Sequence, residues 1–344
     1  MYTNYLDIAL DKWLDPITYA KNFPLLHEVK AEKLIREEDL NAATTSRYEL
    51  TEEGDSTIDS ILSLIAVNLM RGRNVTKLIN VYNLAISTSR AGFAFRTTAM
   101  EDELTGFDNH HLAYKAALGL IRQMLEASVG GAVLDEELPG GLLNLLDKLS
   151  DAILVDKRLL TCHASILKPP ALQQLLQRID LTLGDECSEF GTQDDFHRRD
   201  CLLAALPYLD ADNSYCLHNH HPCFSQWLDF RFKQKKKRCN DPAKIGPPWP
   251  LFIAGRSLVR LHRYGLSHPY GVAQIAPETP YDTSDVLKLF KFRFSKYPAE
   301  AQDGFSKAGW VEKLDMPGLC PEKEEFAGWT DVKMDEDGKT ILLM

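Results

Sequence analysis

The sequence has little that would mark an exported or membrane-spanning protein. Its most apolar run, residues 58–70, is 13 residues long and contains an aspartate, too short to cross a hydrocarbon core of about 30 Å. Asp7, Asp11 and Asp15 occupy the first apolar stretch, where a signal peptide needs an uncharged core after a basic flank. Seven cysteines, an odd number, fit reduced thiols better than a disulfide framework. We therefore expect a cytoplasmic protein that does not engage a membrane.

The sequence also lacks the motifs of the common catalytic folds. It contains no GxSxG, no Walker A loop and no GxGxxG ahead of a helix, so it gives no support to an α/β-hydrolase, a P-loop protein or a Rossmann enzyme. Cys162 and His163 are adjacent, and neighbours on a helix point about 100° apart. We therefore interpret this pair as packing residues and not as a nucleophile with its base.

What is present is an ordinary folded composition with helical periodicity. Hydrophobic residues make up 44% and charged residues 26% of 344, close to the averages for soluble domains. Between residues 56 and 208 apolar side chains recur at helical spacing. Two such stripes are Ile58, Ile61, Leu62, Ile65 and Leu69, and Leu112, Leu120, Ile121, Met124 and Leu125.

Turn and capping residues punctuate this helical part. Ser56 followed by Asp59 indicates a capping box at the start of a helix. The pairs Gly130-Gly131, Gly140-Gly141 and Pro169-Pro170 mark places where helices end or begin. No interval repeats as a solenoid unit would, so the pattern predicts an irregular helical body.

The composition changes after residue 210, where prolines and aromatic residues concentrate, as in GPPWP at residues 246–250. Near the end, Asp337-Gly338 lies between two short alternating runs, a strong hairpin signal. The predicted fold class is mostly α, with α+β as the alternative. We expect an acidic multi-helix body at residues 1–210 and a smaller basic region at 211–344 that ends in a short β-hairpin and packs either separately or with the body.

Charge is divided unevenly along the chain. The formal net charge is −10, yet residues 231–296 hold 14 Lys and Arg against four Asp and Glu, which leaves 25 basic against 45 acidic residues elsewhere. An acidic surface steers basic proteins toward it, whereas a basic one attracts phosphates. The candidate anion- or partner-binding residues are Arg231, Lys233, Lys235, Lys236, Lys237, Arg238, Arg256, Arg260 and Arg263.

A cluster of cysteine and histidine residues lies just ahead of the basic segment. These side chains are the usual ligands of zinc, and His197 and Cys201 would share one face of a helix. The spacing matches no standard zinc motif, so a polar loop is the alternative to a metal site. The candidate ligands are His197, Cys201, Cys216, His218, His220, His221 and Cys223.

The favoured hypothesis is a non-catalytic protein without a cofactor. It would bind a protein partner, as an intracellular inhibitor or immunity-type protein that neutralises a toxic or basic enzyme. Two hypotheses from other classes stay open. One is a zinc-dependent hydrolase that uses the cysteine and histidine cluster on an anionic substrate. The other, which we do not favour, is nucleic-acid binding through residues 231–296.

Overall fold

The computed structural model describes residues 13–28, 47–70, 74–88, 92–95, 110–152, 157–185, 296–307, 332–334 and 340–342. This part of the chain is mostly helical, which confirms the predicted class at that level. It has two 3₁₀ turns, Thr76–Leu78 and Asp135–Glu137. The helices are α1 (Pro16–Asn22), α2 (Glu52–Met70), α3 (His110–Val129), α4 (Gly140–Ser150), α5 (Lys157–Thr161), α6 (Pro169–Asp185) and α7 (Lys296–Lys307).

Short antiparallel strands accompany the helices. One sheet has the order β1 (Trp13–Leu14), β4 (Leu84–Ser87), β5 (Phe93–Phe95). A second pairs β2 (Leu26–Glu28) with β3 (Tyr48–Leu50), Leu26 opposite Leu50. β6 (Val332–Met334) pairs with β7 (Thr340–Leu342). The Asp337-Gly338 turn lies outside the described residues, so the terminal hairpin stays a prediction.

The helix boundaries follow local chemistry. Asp15 caps α1 by accepting the N–H groups of Ile17 and Thr18 at 3.1 and 2.9 Å, and Pro16 occupies the first turn, where no N–H is needed. α3 ends at Gly130, whose φ of 74° is the left-handed conformation that glycine adopts at helix ends. α4 and α6 begin at Gly140 and Pro169, as the sequence predicted.

The start of α2 differs from the prediction. The helix begins at Glu52, so Ser56 lies one turn inside it and is not the cap. Thr51 caps the helix instead, because its hydroxyl oxygen accepts the Gly54 N–H at 2.9 Å. A Cβ on Gly54 would collide with the carbonyl oxygen of Leu25, so close packing of the preceding segment fixes a glycine in this first turn.

The core lies between α1, α2, α3 and α4. The α2 stripe is confirmed, since Ile58, Ile61, Leu62 and Ile65 are fully buried and Leu69 packs partly buried against them. The α3 stripe was wrong at Leu112, which is 39% exposed. In its place the buried face of α3 begins one residue later, with Ala113, Tyr114 and Ala117.

α7 belongs in sequence to the predicted C-terminal region but packs against α4 and α6. Its buried residues include Tyr297, Ala301 and Phe305, four residues apart, which places them along one face. The predicted division near residue 210 lies outside the described residues and stays a prediction. None of the described helices is long and apolar enough to cross a membrane.

Candidate functional site

The sites predicted from sequence lie outside the described residues. This applies to all the candidate zinc ligands between His197 and Cys223, and to the basic residues between Arg231 and Arg263. In the ranges that the structure describes, no group of three or more His, Cys, Asp or Glu side chains is placed to hold a metal ion. The zinc and nucleic-acid hypotheses therefore remain predictions.

Cys162 and His163 do lie in the described part, and the prediction that they are packing residues is confirmed, since both are fully buried. The expectation of reduced thiols was wrong at Cys162, which is disulfide-bonded. Its sequence neighbour His163 has a different environment: it is the centre of a buried polar network.

This network joins three separate segments: α4, the turn that follows α5, and α7. Its members are polar side chains that bond to one another or, for Gln302, to the backbone on either side of His163. We call them the polar seam: Asn144, Lys148, His163, Ser165, Gln302 and Asp303.

The hydrogen bonds around His163 determine its tautomer. The Asn144 amide donates to Asp303 Oδ2 at 3.0 Å, so Asn144 Oδ1 is the acceptor that faces His163 Nε2 at 2.9 Å. The Nε2 atom therefore carries the proton. The other ring nitrogen, Nδ1, accepts the Ser165 hydroxyl at 2.8 Å and the Ser165 backbone N–H at 3.3 Å. The neutral imidazole, protonated on Nε2, can therefore make all the hydrogen bonds that join the ring to Asn144 and Ser165.

Burial lowers the pKa of His163 to about 3, and the positive charge of Lys148 acts in the same direction. The hydrogen-bond pattern agrees with this shift, since a proton on Nδ1 would point at a backbone N–H that cannot become an acceptor. A base with so low a pKa is poorly matched to proton transfer near neutral pH. Ser165, His163 and Asn144 are connected in the order of a nucleophile, a base and an orienting group. Because His163 is so weak a base, we interpret the network as structural and not as a device that activates the serine.

Gln302 ties α7 to the turn that carries His163. Its amide nitrogen donates to the Cys162 carbonyl at 2.8 Å, and its amide oxygen accepts the Ala164 N–H at 2.9 Å. Gln302 is 1% exposed, so it takes the place of a backbone partner for two groups that would otherwise be buried and unsatisfied.

The charged end of the polar seam is the Lys148–Asp303 ion pair. The side chains are 16% and 15% exposed, so water screens them little. Asp303 also accepts the Asn144 amide, which links the ion pair to His163. Through these contacts α4 and α7 share one continuous set of hydrogen bonds.

A second polar region lies on the surface, at the connection between α3 and α4. Residues 134–137, which we call the acidic turn, consist of Leu134 and the 3₁₀ turn Asp135–Glu137 with its three carboxylates. Leu134 is 56% exposed, one of a few large hydrophobic side chains held in water in the described part of the chain. Three consecutive carboxylates, Asp135, Glu136 and Glu137, follow it directly.

Hydrogen bonds and ion pairs brace the acidic turn. The Leu134 N–H donates to Glu137 Oε2 at 3.0 Å, and this bond together with Arg47 lowers the pKa of Glu137. Arg47 bridges Glu137 at 2.9 Å and Glu28 of β2 at 3.0 Å. Arg122 of α3 pairs with Asp135 at 2.7 Å. These contacts hold the acidic turn in one conformation.

Neither region was predicted as a site from the sequence. For the polar seam the available signal was the spacing of Tyr297, Ala301 and Phe305, which marks α7 as a helix with one buried face. For the acidic turn it was the apolar Leu134 ahead of Asp135-Glu136-Glu137 between two glycine pairs. A scan against protein-family models, a search of curated proteins and a search of solved structures found no match for this chain.

Proposed function

We propose that this is a non-catalytic binding protein whose partner is a basic protein, in the manner of an inhibitor or immunity protein that neutralises a toxic or basic enzyme. The observation that carries the proposal is Leu134, an exposed apolar side chain on a braced turn surrounded by carboxylates. A single exposed leucine is common on protein surfaces, and Leu134 suits a partner contact because it lies on a braced turn next to carboxylates.

The chemistry of the acidic turn fits a basic partner. An apolar anchor that becomes buried at the centre of an interface supplies affinity, while the charged rim sets orientation and association rate. Glu136 is exposed and is available to a cationic surface, and Asp135, although paired with Arg122, is 52% exposed. The net charge of −10 adds long-range attraction for a basic protein.

Bracing makes the acidic turn more suitable for binding than a mobile loop. Ordering a loop at an interface takes up part of the binding energy. The turn is already fixed by the Leu134–Glu137 hydrogen bond and by Arg47 and Arg122. The partner would therefore meet Leu134 and the carboxylates in their bound arrangement.

Partner capture with matched variants tests the proposal. The full chain is immobilised as wild type, as Leu134→Ser and as Glu136→Lys, and proteins bound from an extract of the source cells are identified. The controls are Leu181→Ser, a leucine on α6 that is 47% exposed, and Asp151→Lys, an exposed carboxylate at the end of α4. We expect a basic protein that is kept by both controls and lost by both acidic-turn variants.

The captured protein is then purified and its Kd and activity are measured. Leu134→Ser should weaken binding by about 10-fold, the effect of removing one apolar anchor, and added salt should weaken binding further. If the captured protein is an enzyme, its activity should fall as the chain is added in stoichiometric amounts. Equal binding by all the variants, or an enzyme that keeps full activity in the complex, would overturn the proposal.

A further inference from the structure

The attachment of α7 depends on a ring that is held in one protonation state. Two sets of polar contacts attach α7: one runs to Asn144 and Lys148 of α4, and the other to the backbone of the turn at residues 162–164. His163 stands between these two attachment points. It bonds to Asn144 on one side and to Ser165 on the other.

Only the neutral ring fits this arrangement. A proton added to Nδ1 would face two donors of Ser165. The hydroxyl can rotate and become an acceptor, but the backbone N–H cannot. The new positive charge would also be fully buried, and burying a charge without a counter-charge is strongly unfavourable.

The charged neighbours do not offset this penalty. In the described structure, the charged groups linked most directly to His163 are Lys148 on α4 and Asp303 on α7. Lys148 repels a protonated ring. Asp303 is already paired with Lys148 and reaches His163 only through the Asn144 amide. On the turn itself, Lys168 is exposed and adds a further positive charge.

We propose that the polar seam is an acid-sensitive latch, in which uptake of one proton by His163 Nδ1 releases α7 from α4 and from the turn at residues 162–166. The proton comes from solvent when the latch opens briefly. The protonated ring then cannot return to its buried position. This inference does not depend on the proposed partner or on the acidic turn.

Linkage gives the size of the effect. The open form has an ordinary histidine pKa near 6.5, whereas the pKa in the closed form is about 3. The open form therefore binds the proton more tightly, and acid favours opening. The opening equilibrium of α7 should rise about 25-fold between pH 7 and pH 5.

Hydrogen exchange of the full-length protein tests the latch. Amide exchange of peptides from α7 is followed at pH 7, 6 and 5, after correction for the intrinsic pH dependence of exchange. We expect protection in α7 to fall as the pH falls, while the buried stripes of α2 and α3 keep theirs. The matched variants are His163→Gln, which keeps a donor and an acceptor but does not titrate in this range, and His27→Gln, which changes a histidine that is 54% exposed.

The latch predicts that His163→Gln removes the pH dependence of α7 opening and that His27→Gln retains it. The same pH dependence in both variants would overturn the proposal, and so would an equal loss of protection in α2 and α3. If His163→Gln does not fold, the nitrogen chemical shifts of His163 in the wild-type protein decide. A neutral ring at pH 5 in the closed form supports the latch, and a ring protonated there without opening of α7 rejects it.

Discussion

The polar seam and the acidic turn are built from the same kinds of groups but differ in burial. Lys148 and Asp303 are 16% and 15% exposed, whereas Arg122 and Asp135, an ion pair of the acidic turn, are 37% and 52% exposed. Water screens the second pair and leaves the first pair almost unscreened. The comparison teaches that the folded state depends on a polar contact when it is buried. When the contact is exposed, its residues can change with little effect on stability and can bind a partner.

The largest effect should come from breaking the buried ion pair. Asp303→Ala leaves the Lys148 charge without its partner and removes the acceptor of the Asn144 amide. We expect a loss of about 3 kcal/mol in the free energy of unfolding, measured by denaturant titration. The double variant Lys148→Met with Asp303→Asn removes both charges and should recover most of the loss. If Asp303→Ala were as stable as the wild type, the ion pair of the polar seam would contribute no more to stability than the exposed pairs of the acidic turn.

The next effect concerns Gln302, which has no charge and is more deeply buried than the ion pair, at 1% exposed. Gln302→Ala leaves the Cys162 carbonyl and the Ala164 N–H without partners, and we expect a loss of about 2 kcal/mol. Gln174→Ala, at an exposed position of α6, is the control and should change stability little. Thermal unfolding of the two variants measures the difference. Equal midpoints would show that Gln302 is not a structural tie.

A smaller, pH-dependent effect is expected at Asp59 of α2, a partly buried carboxylate. Burial raises its pKa to about 6, although Lys168 and Ser63 act in the other direction. The folded pKa lies above the unfolded value, so ionised Asp59 destabilises the protein as pH rises from about 4 through 6. Asp59→Asn should therefore stabilise it by about 1–2 kcal/mol at pH 7.5 and hardly at pH 4.

This carboxylate has the opposite linkage to His163. The lowered pKa of His163 means that its stabilisation is present above pH 6.5 and is lost as the pH falls toward 3. The two slopes partly cancel between pH 4 and 6 in the wild type. In Asp59→Asn the loss of stability at acid pH should become steeper. A pH profile of stability in Asp59→Asn that is unchanged from the wild type would contradict the raised pKa of Asp59.

The smallest effect should come from the acidic turn. Arg47→Ala removes contacts to Glu28 and Glu137 that are made by an arginine side chain 54% exposed to water, and ion pairs with an exposed member contribute little. We expect no measurable change in the unfolding midpoint at physiological salt. A loss comparable to that of Asp303→Ala would show that the acidic turn is a structural element and not a binding surface.

The helices could largely be predicted from sequence because their signals are local. The four-residue recurrence of Ile58, Ile61, Leu62 and Ile65 requires no knowledge of the rest of the chain. The error at the start of α2 arose where another segment intervened. This start is set by Thr51, whose hydroxyl also donates to the Pro24 carbonyl at 2.8 Å. At the start of α3 the error was one of phase, since Leu112 is exposed and the buried face begins at Ala113.

The polar seam could not be predicted because it has no local pattern. Asn144, His163 and Asp303 lie in three segments separated by up to 159 residues. Each is an ordinary polar residue in its own segment. Only the packing of α7 against α4 brings them into hydrogen-bond distance and removes them from water.

The sequence by itself determined which stretches are helical, because periodicity and capping act over a few residues. It also determined the charge balance and the position of Leu134 directly before three carboxylates. The tertiary structure decided which polar groups are buried, and thereby that His163 is neutral and that Lys148 and Asp303 depend on each other. The physical reason is that desolvation depends on every segment that packs around a group, whereas helix propensity depends on its near neighbours.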